Sequence, residues 1–109
     1  MKNVNALLVK KINTRSKGQR NELRAKKILE LAGYEVEKTV GSRFGSKDFW
    51  GLFDLLAINA TQLRMIQVKT NYCRPEYKEA IKEFPCPPTI IKEVWVFKDR
   101  VSEPIITIL

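Results

Sequence analysis

The chain contains no histidine. That absence removes Ser-His-Asp triads, Cys-His proteases, HExxH metalloproteases and any phosphodiesterase that uses imidazole as its general base. Catalysis here has to come from carboxylates, lysines, tyrosines or a metal. Cysteine is scarce, with Cys73 and Cys86 as the two thiols. They flank a predicted helix, and about ten helical residues would hold their backbones roughly 15 Å apart, too far for a disulfide. Two thiols without histidine also make a poor zinc site. No apolar run approaches the roughly 18 residues of a membrane span. The N-terminal stretch Ala6-Leu7-Leu8-Val9 is too short for a signal-peptide core and has no small-residue cleavage site after it. These features lead us to expect a cytoplasmic chain with no membrane partner. Glycine and proline number only five each in 109 residues, which suits one folded domain over residues 1–109.

Charge is abundant but unevenly placed. The formal net charge is +8, and residues 1–27 carry nine basic side chains against the single acid Glu22. The remaining chain balances eleven basic with eleven acidic residues, so the whole excess lies in the first quarter. A one-sided positive field attracts polyanions, and nucleic acid is the common partner. A solubilising surface is the alternative reading.

Residues 1–15 read as a basic N-terminal arm. Ser16 and Gln19 have capping-box spacing, which predicts a helix opening at Ser16, and Gly33 is placed to stop it. Ala25, Leu29 and Ala32 form one apolar stripe that Ile28 widens, with Glu22 roughly 60° from its centre. Tyr34 to Val40 alternates as a strand with one wet face. A glycine-containing loop, Gly41 to Gly51, separates it from the apolar run Leu52–Ile58, which has Asp54 in its middle. Asn59-Ala60-Thr61 is a turn, and Leu63–Lys69 completes a hairpin. Arg74-Pro75 opens a second helix that runs to about Phe84 and is ended by Cys86-Pro87-Pro88. Lys92–Lys98 and Pro104–Leu109 are two further strands. The order α-β-β-β-α-β-β predicts an α/β fold, a mixed central sheet flanked by helices.

One group of residues carries chemistry. Period-two alternation puts Gln67 and Lys69 on one side of their strand, with Ile66 and Val68 on the other. Asp54 precedes Gln67 by 13 residues, on the other arm of the hairpin. The expected result is a carboxylate, an amide oxygen and an ammonium in one patch of sheet, with Glu22 supplying a second carboxylate if the first helix crosses that face. Mg²⁺ takes hard oxygen ligands and keeps several waters, so one or two carboxylates plus a carbonyl suffice, and the Val68 carbonyl would complete the set. A neighbouring lysine can offset charge that develops on a phosphate. Asp48 is a reserve ligand, though a loop acid beside Lys47 is more simply solvated. Phe49, Trp50 and Phe53 read as core or dimer contacts, with base stacking as an alternative.

Asp54 followed by Gln67-Val68-Lys69 resembles the Asp…(Glu/Gln)-x-Lys signature of the PD-(D/E)XK nucleases. Lys17-Gly18-Gln19-Arg20-Asn21-Glu22 resembles the first-helix segment of archaeal-type Holliday junction resolvases, and Gly41-Ser42-Arg43 resembles the loop ahead of their aspartate. The virus-type replication-repair nucleases have a similar layout. The likeness covers residues 17 to 98. It implies a restriction-endonuclease-like core, with Glu22, Asp54, Gln67 and Lys69 as catalytic residues. Glu22, Asp54, Gln67 and the Val68 carbonyl would hold Mg²⁺ (or Mn²⁺). It further implies a homodimer acting on branched DNA in recombination or repair, gripped through Lys17, Arg20, Ser42, Arg43 and Lys47. The chain departs from the pattern at Phe53, where proline is frequent, and at Gln67, where glutamate is usual. The glutamine removes a negative charge and favours the alternative of a non-catalytic nucleic-acid-binding module with the same fold.

Overall fold

In the computed structural model the described backbone covers residues 2–39, 41–42, 45–46 and 48–109, and the described side chains are those of residues 17–39 and 48–109. The elements are α1 (Lys2–Leu31), β1 (Glu35–Lys38), β2 (Gly41–Ser42), β3 (Gly45–Ser46), β4 (Leu55–Ile58), β5 (Leu63–Thr70), α2 (Pro75–Glu83), β6 (Ile90–Phe97) and β7 (Ile105–Ile108). Five strands form one mixed sheet in the order β1-β4-β5-β6-β7. Its β5–β6 pair is parallel and the other three pairs are antiparallel. The protein is therefore α/β, with a helix on each face of the sheet. Among the described residues no helix is long and apolar enough to cross a membrane.

α1 runs straight through Ser16 instead of opening there. Nothing between Lys2 and Ser16 is a glycine or proline, so no residue of the expected arm breaks the helix, and a serine inside it costs only a fraction of a kcal/mol. The buried row of α1 is Asn21, Ala25 and Leu29 at i, i+4 spacing, while Ile28 and Ala32 are exposed. The C-terminal end is as the sequence suggested. Gly33 takes φ +96°, and the Tyr34 and Gly33 N–H groups donate to the Leu29 and Glu30 carbonyls at 3.0 Å each. That is a Schellman cap, which only glycine adopts without strain.

Two apolar layers result. Ala25 and Leu29 of α1 pack on Leu55, Ala57, Ile66, Val68, Trp95 and Phe97. On the opposite face Ile81 of α2 packs with Phe53, Met65, Cys73 and Val94. Both cysteines are free thiols, as their spacing predicts, and burial pushes the Cys73 thiol up. Within the sheet, fully buried Glu93 accepts from Arg64 Nε and Nη2 at 2.6 Å each and from Trp95 Nε1 at 3.0 Å. The bidentate geometry compensates the acid's burial.

Lys92 lies beside it in sequence and serves α2. Its Nζ donates to the Lys82 carbonyl at 2.7 Å and the Phe84 carbonyl at 2.8 Å, a cation set on the orphan carbonyls of a helix C-terminus. Lys92→Met is expected to destabilise the chain by about 1–3 kcal/mol, because it leaves those carbonyls unpaired. Urea unfolding would show a lower midpoint at unchanged slope. An unchanged midpoint would mean that water replaces the ammonium without loss.

Candidate active site

Strand alternation breaks at Asp54. Phe53 packs on the α2 side of the sheet, whereas Leu55 packs on the α1 side. Residues two apart on a regular strand share a face, so an extra residue has been inserted between them. The hydrogen bonds agree. Leu55 is the register partner of Ile66, and the Asp54 N–H donates to that same Ile66 carbonyl at 2.8 Å. Two residues opposite one make a β-bulge, a device that re-aims a side chain. Asp54 thus lies just ahead of β4, not in the middle of a strand.

Beyond the bulge the β4 ladder stops while β5 continues to Thr70. The Val68 N–H, left without a strand neighbour on that side, donates to Asp54 Oδ2 at 2.9 Å. Its carbonyl faces the same open edge, because the N–H and C=O of one strand residue point to one side. α1 crosses here. Asn21 Nδ2 donates to Thr70 Oγ1 at 2.9 Å, which brings the next residue, Glu22, to the edge. Lys38, at the end of β1, sets its Nζ 3.5 Å from Glu22 Oε1.

The electrostatics of this corner are unusual. Asp54 is 6% exposed. Burial pushes its pKa up from 3.8 to about 8, against the pull of the Val68 N–H, and the adjacent Asp48 and the Glu22 charge raise it further. The Asp48 carboxyl lies close enough to Asp54 to act on it both through its charge and through a side-chain hydrogen bond. Glu22 is also raised, by burial first, with Lys38 opposing and Asp48 reinforcing. Gln67, 5% exposed, has a buried Oε1 with no hydrogen-bond partner among the described residues. Hard oxygen donors, mutually repelling carboxylates and an orphaned amide oxygen fit Mg²⁺ or Mn²⁺. No three Asp, Glu or Cys side chains among the described residues form a ready metal cage. A cation here would lean on the Val68 and Gln67 oxygens and on water.

No family model and no curated protein matches this chain.

The structure therefore brings Glu22, Asp48, Asp54 and the open Val68 edge together. The Lys69 ammonium goes elsewhere, 4.1 Å from the centroid of the Tyr77 ring, and makes no ion pair among the described residues. Lys17 and Arg20 line a cavity of about 220 Å³ with Asn21, Arg24, Lys98 and Arg100. Lys17 is paired there with Asp99 at 2.8 Å, while Arg24 is held by the Ser102 carbonyl at 2.6 Å and by the Phe97 ring. Arg43 and Lys47 lie outside the described residues, as does the side chain of Ser42.

Sequence reasoning gave Asp48 second rank and passed over Lys38, Lys98 and Arg100. Asp48 had a readable signal, as an acid six residues before Asp54 in a loop short enough to fold back on it. Lys38 had none, because nothing in β1 announces which helical residue it faces. Among the described residues Glu22 pairs with Lys38. Phe53 belongs to the core, whereas Trp50 is exposed and lies against Phe84, with ring centroids 5.4 Å apart.

Proposed function

We propose that this chain is an Mg²⁺- or Mn²⁺-dependent DNA endonuclease of the PD-(D/E)XK type, with a restriction-endonuclease-like core, acting on branched or otherwise structured DNA as a homodimer. The observation that carries the reading is the desolvated Asp54, aimed by a bulge at an open strand edge and crowded by Asp48 and Glu22. Acids that repel one another in a water-poor corner are expensive to keep unless a cation uses them. Asp54, Glu22, the Gln67 amide oxygen and the Val68 carbonyl would hold the metal. When bound, Mg²⁺ would neutralise the scissile phosphate and make water acidic enough to attack near neutral pH. Lys69, two residues beyond Gln67, would offset the charge that develops on the phosphate oxygens. Arg20, Lys98 and Arg100, which make no ion pair among the described residues, would hold flanking phosphates.

A second reading, a nucleic-acid-binding module without turnover, is favoured by the seat of Lys69 on Tyr77 and by the neutral Gln67. The two are separated by incubating end-labelled four-way junction, flap and linear duplex DNA with Mg²⁺, Mn²⁺ or EDTA, with Asp54→Ala as control. Paired nicks in the junction that need metal and Asp54 are the expected result. Cutting at flaps or ends would move the activity toward replication-repair chemistry. Retention of labelled DNA without cutting in either metal would establish the binding module.

A further inference from the structure

We infer that the cleft between the end of β5 and the start of α2 is a base-stacking subsite, so that the preferred DNA carries an unpaired nucleotide beside the cleavage site. The inference rests on the reading of the chain as a DNA-handling protein and names the substrate feature it selects.

The cleft, about 300 Å³, is lined by Lys69, Tyr72, Arg74 and Tyr77. Two cations and two phenol rings, with no acid among the lining residues, match what a single-stranded nucleotide requires, an anionic backbone beside a flat π-surface. Both rings are open to solvent, Tyr72 at 65% and Tyr77 at 41%. Large aromatic side chains so exposed and so close together forgo burial that the small core could have used.

The backbone is built to present Tyr72. Asn71 has φ +67°, and the Tyr72 N–H donates to the Thr70 carbonyl at 2.8 Å, closing a γ-turn around a residue other than glycine. Such a turn is strained and persists only where its surroundings enforce it. Here they do. The Asn71 N–H donates to the Phe97 carbonyl at 2.9 Å, Asn71 Nδ2 donates to Asp99 Oδ2 at 3.1 Å, and the Asp99 N–H donates to Asn71 Oδ1 at 2.9 Å. Asn71 thus clasps the ends of the two parallel strands together and turns Tyr72 outward. Tyr77 is steadied on one ring face by the Lys69 ammonium. The site lies outside the carboxyl ends of a parallel strand pair, where open α/β sheets bind ligands.

Fluorescence anisotropy at low salt in EDTA tests this without any cutting. The probes are labelled oligo(dT), an abasic strand of the same length, and a blunt duplex. Full-length Tyr72→Ala and Tyr77→Ala are each expected to bind oligo(dT) about tenfold or more weakly, with the abasic strand and the duplex bound as before. Tyr72→Phe should restore the affinity, since the ring and not the hydroxyl stacks. Equal affinity of wild-type protein for oligo(dT) and the abasic strand would overturn the inference, as would alanine variants that bind all three probes equally less. Metal-dependent cutting with no dependence on Tyr72 would overturn it and leave the nuclease proposal standing. Stacking without cutting in Mg²⁺ or Mn²⁺ would do the reverse.

Discussion

Asp54→Asn is expected to make the metal-free chain more stable than wild type at pH 7 by on the order of 2–4 kcal/mol. The substitution keeps the shape of the side chain and leaves an oxygen to accept from the Val68 N–H, now 2.9 Å from Oδ2. What it removes is an acid that must hold a proton in the folded state, because burial, Asp48 and Glu22 all oppose its charge and raise its pKa from 3.8 to about 8. A carboxyl whose folded-state pKa is raised keeps its proton in the native state after the unfolded chain has released it. Stability from that proton is complete below about pH 4 and is lost as the pH climbs through about 8. Glu22, raised from 4.5, pulls in the same direction. Urea unfolding in EDTA at several pH values between 5 and 8 should therefore show wild type weakening steadily and Asp54→Asn weakening less, with the slope that Glu22 contributes left in place. Against a typical stability of about 5–15 kcal/mol the difference is large.

Divalent metal should narrow or close the gap. A cation that binds only the folded state adds about 2.7 kcal/mol at a hundredfold excess over its Kd. Wild type is expected to gain that stabilisation from Mg²⁺ or Mn²⁺, and Asp54→Asn to gain little. If wild type instead became more stable from pH 5 to 8 in EDTA, or the asparagine variant were the weaker protein, the view of Asp54 as a desolvated acid held for a cation would fail.

The parts of this molecule that were legible in the sequence are those where one physical signal decides locally. Gly33 ends α1 because its positive φ needs no partner to be anticipated. Pro75 marks the start of α2 for the same local reason. The run Leu63–Lys69 located β5 because a central strand covered on both faces carries consecutive apolar residues, and Met65 to Val68 are all buried. Other features depend on who meets whom. The bulge at Asp54 adds one residue to a run that is apolar on both sides of it, so Leu52–Ile58 reads as an unbroken strand. The extension of α1 below Ser16 turns on the absence of a breaker, a weaker signal than a cap. Lys92 and Glu93 look like solvated ends of a strand until Arg64 and the α2 carbonyls are set beside them. At the site, the sequence named Glu22, Asp54, Gln67 and Val68 by type and spacing and Asp48 as a reserve, but the approach of Lys38 and the turn of Lys69 toward Tyr77 arise only from packing.

The position of Lys69 leads to the second large effect. Lys69→Met is expected to slow DNA cleavage on the order of 10²–10³-fold, the loss typical of removing one preorganised charge from a developing oxyanion. Its affinity for uncut blunt duplex, which makes no use of the Lys69–Tyr72–Tyr77 cleft, should barely change. The seat on Tyr77 is no obstacle to this role, since a partly exposed cation–π contact is worth only about 0.5–2 kcal/mol and yields to a phosphate arriving at the edge. The backbone of Lys69 is already fixed one residue beyond the Val68 carbonyl, so only the flexible stem has to swing. Lys38→Met is expected to act differently. Lys38 pairs with Glu22 at 3.5 Å and occupies the acid that a cation would take. Removing it should change cleavage at saturating Mg²⁺ less than about tenfold, while lowering the Mg²⁺ concentration needed, because the metal no longer competes with an ammonium. Rates measured on one junction across a Mg²⁺ titration separate the two lysines. If Lys38→Met abolished cleavage and Lys69→Met cut at the wild-type rate, the catalytic ammonium would be the one on β1. The Gln67-Val68-Lys69 strand would then contribute oxygens and nothing more.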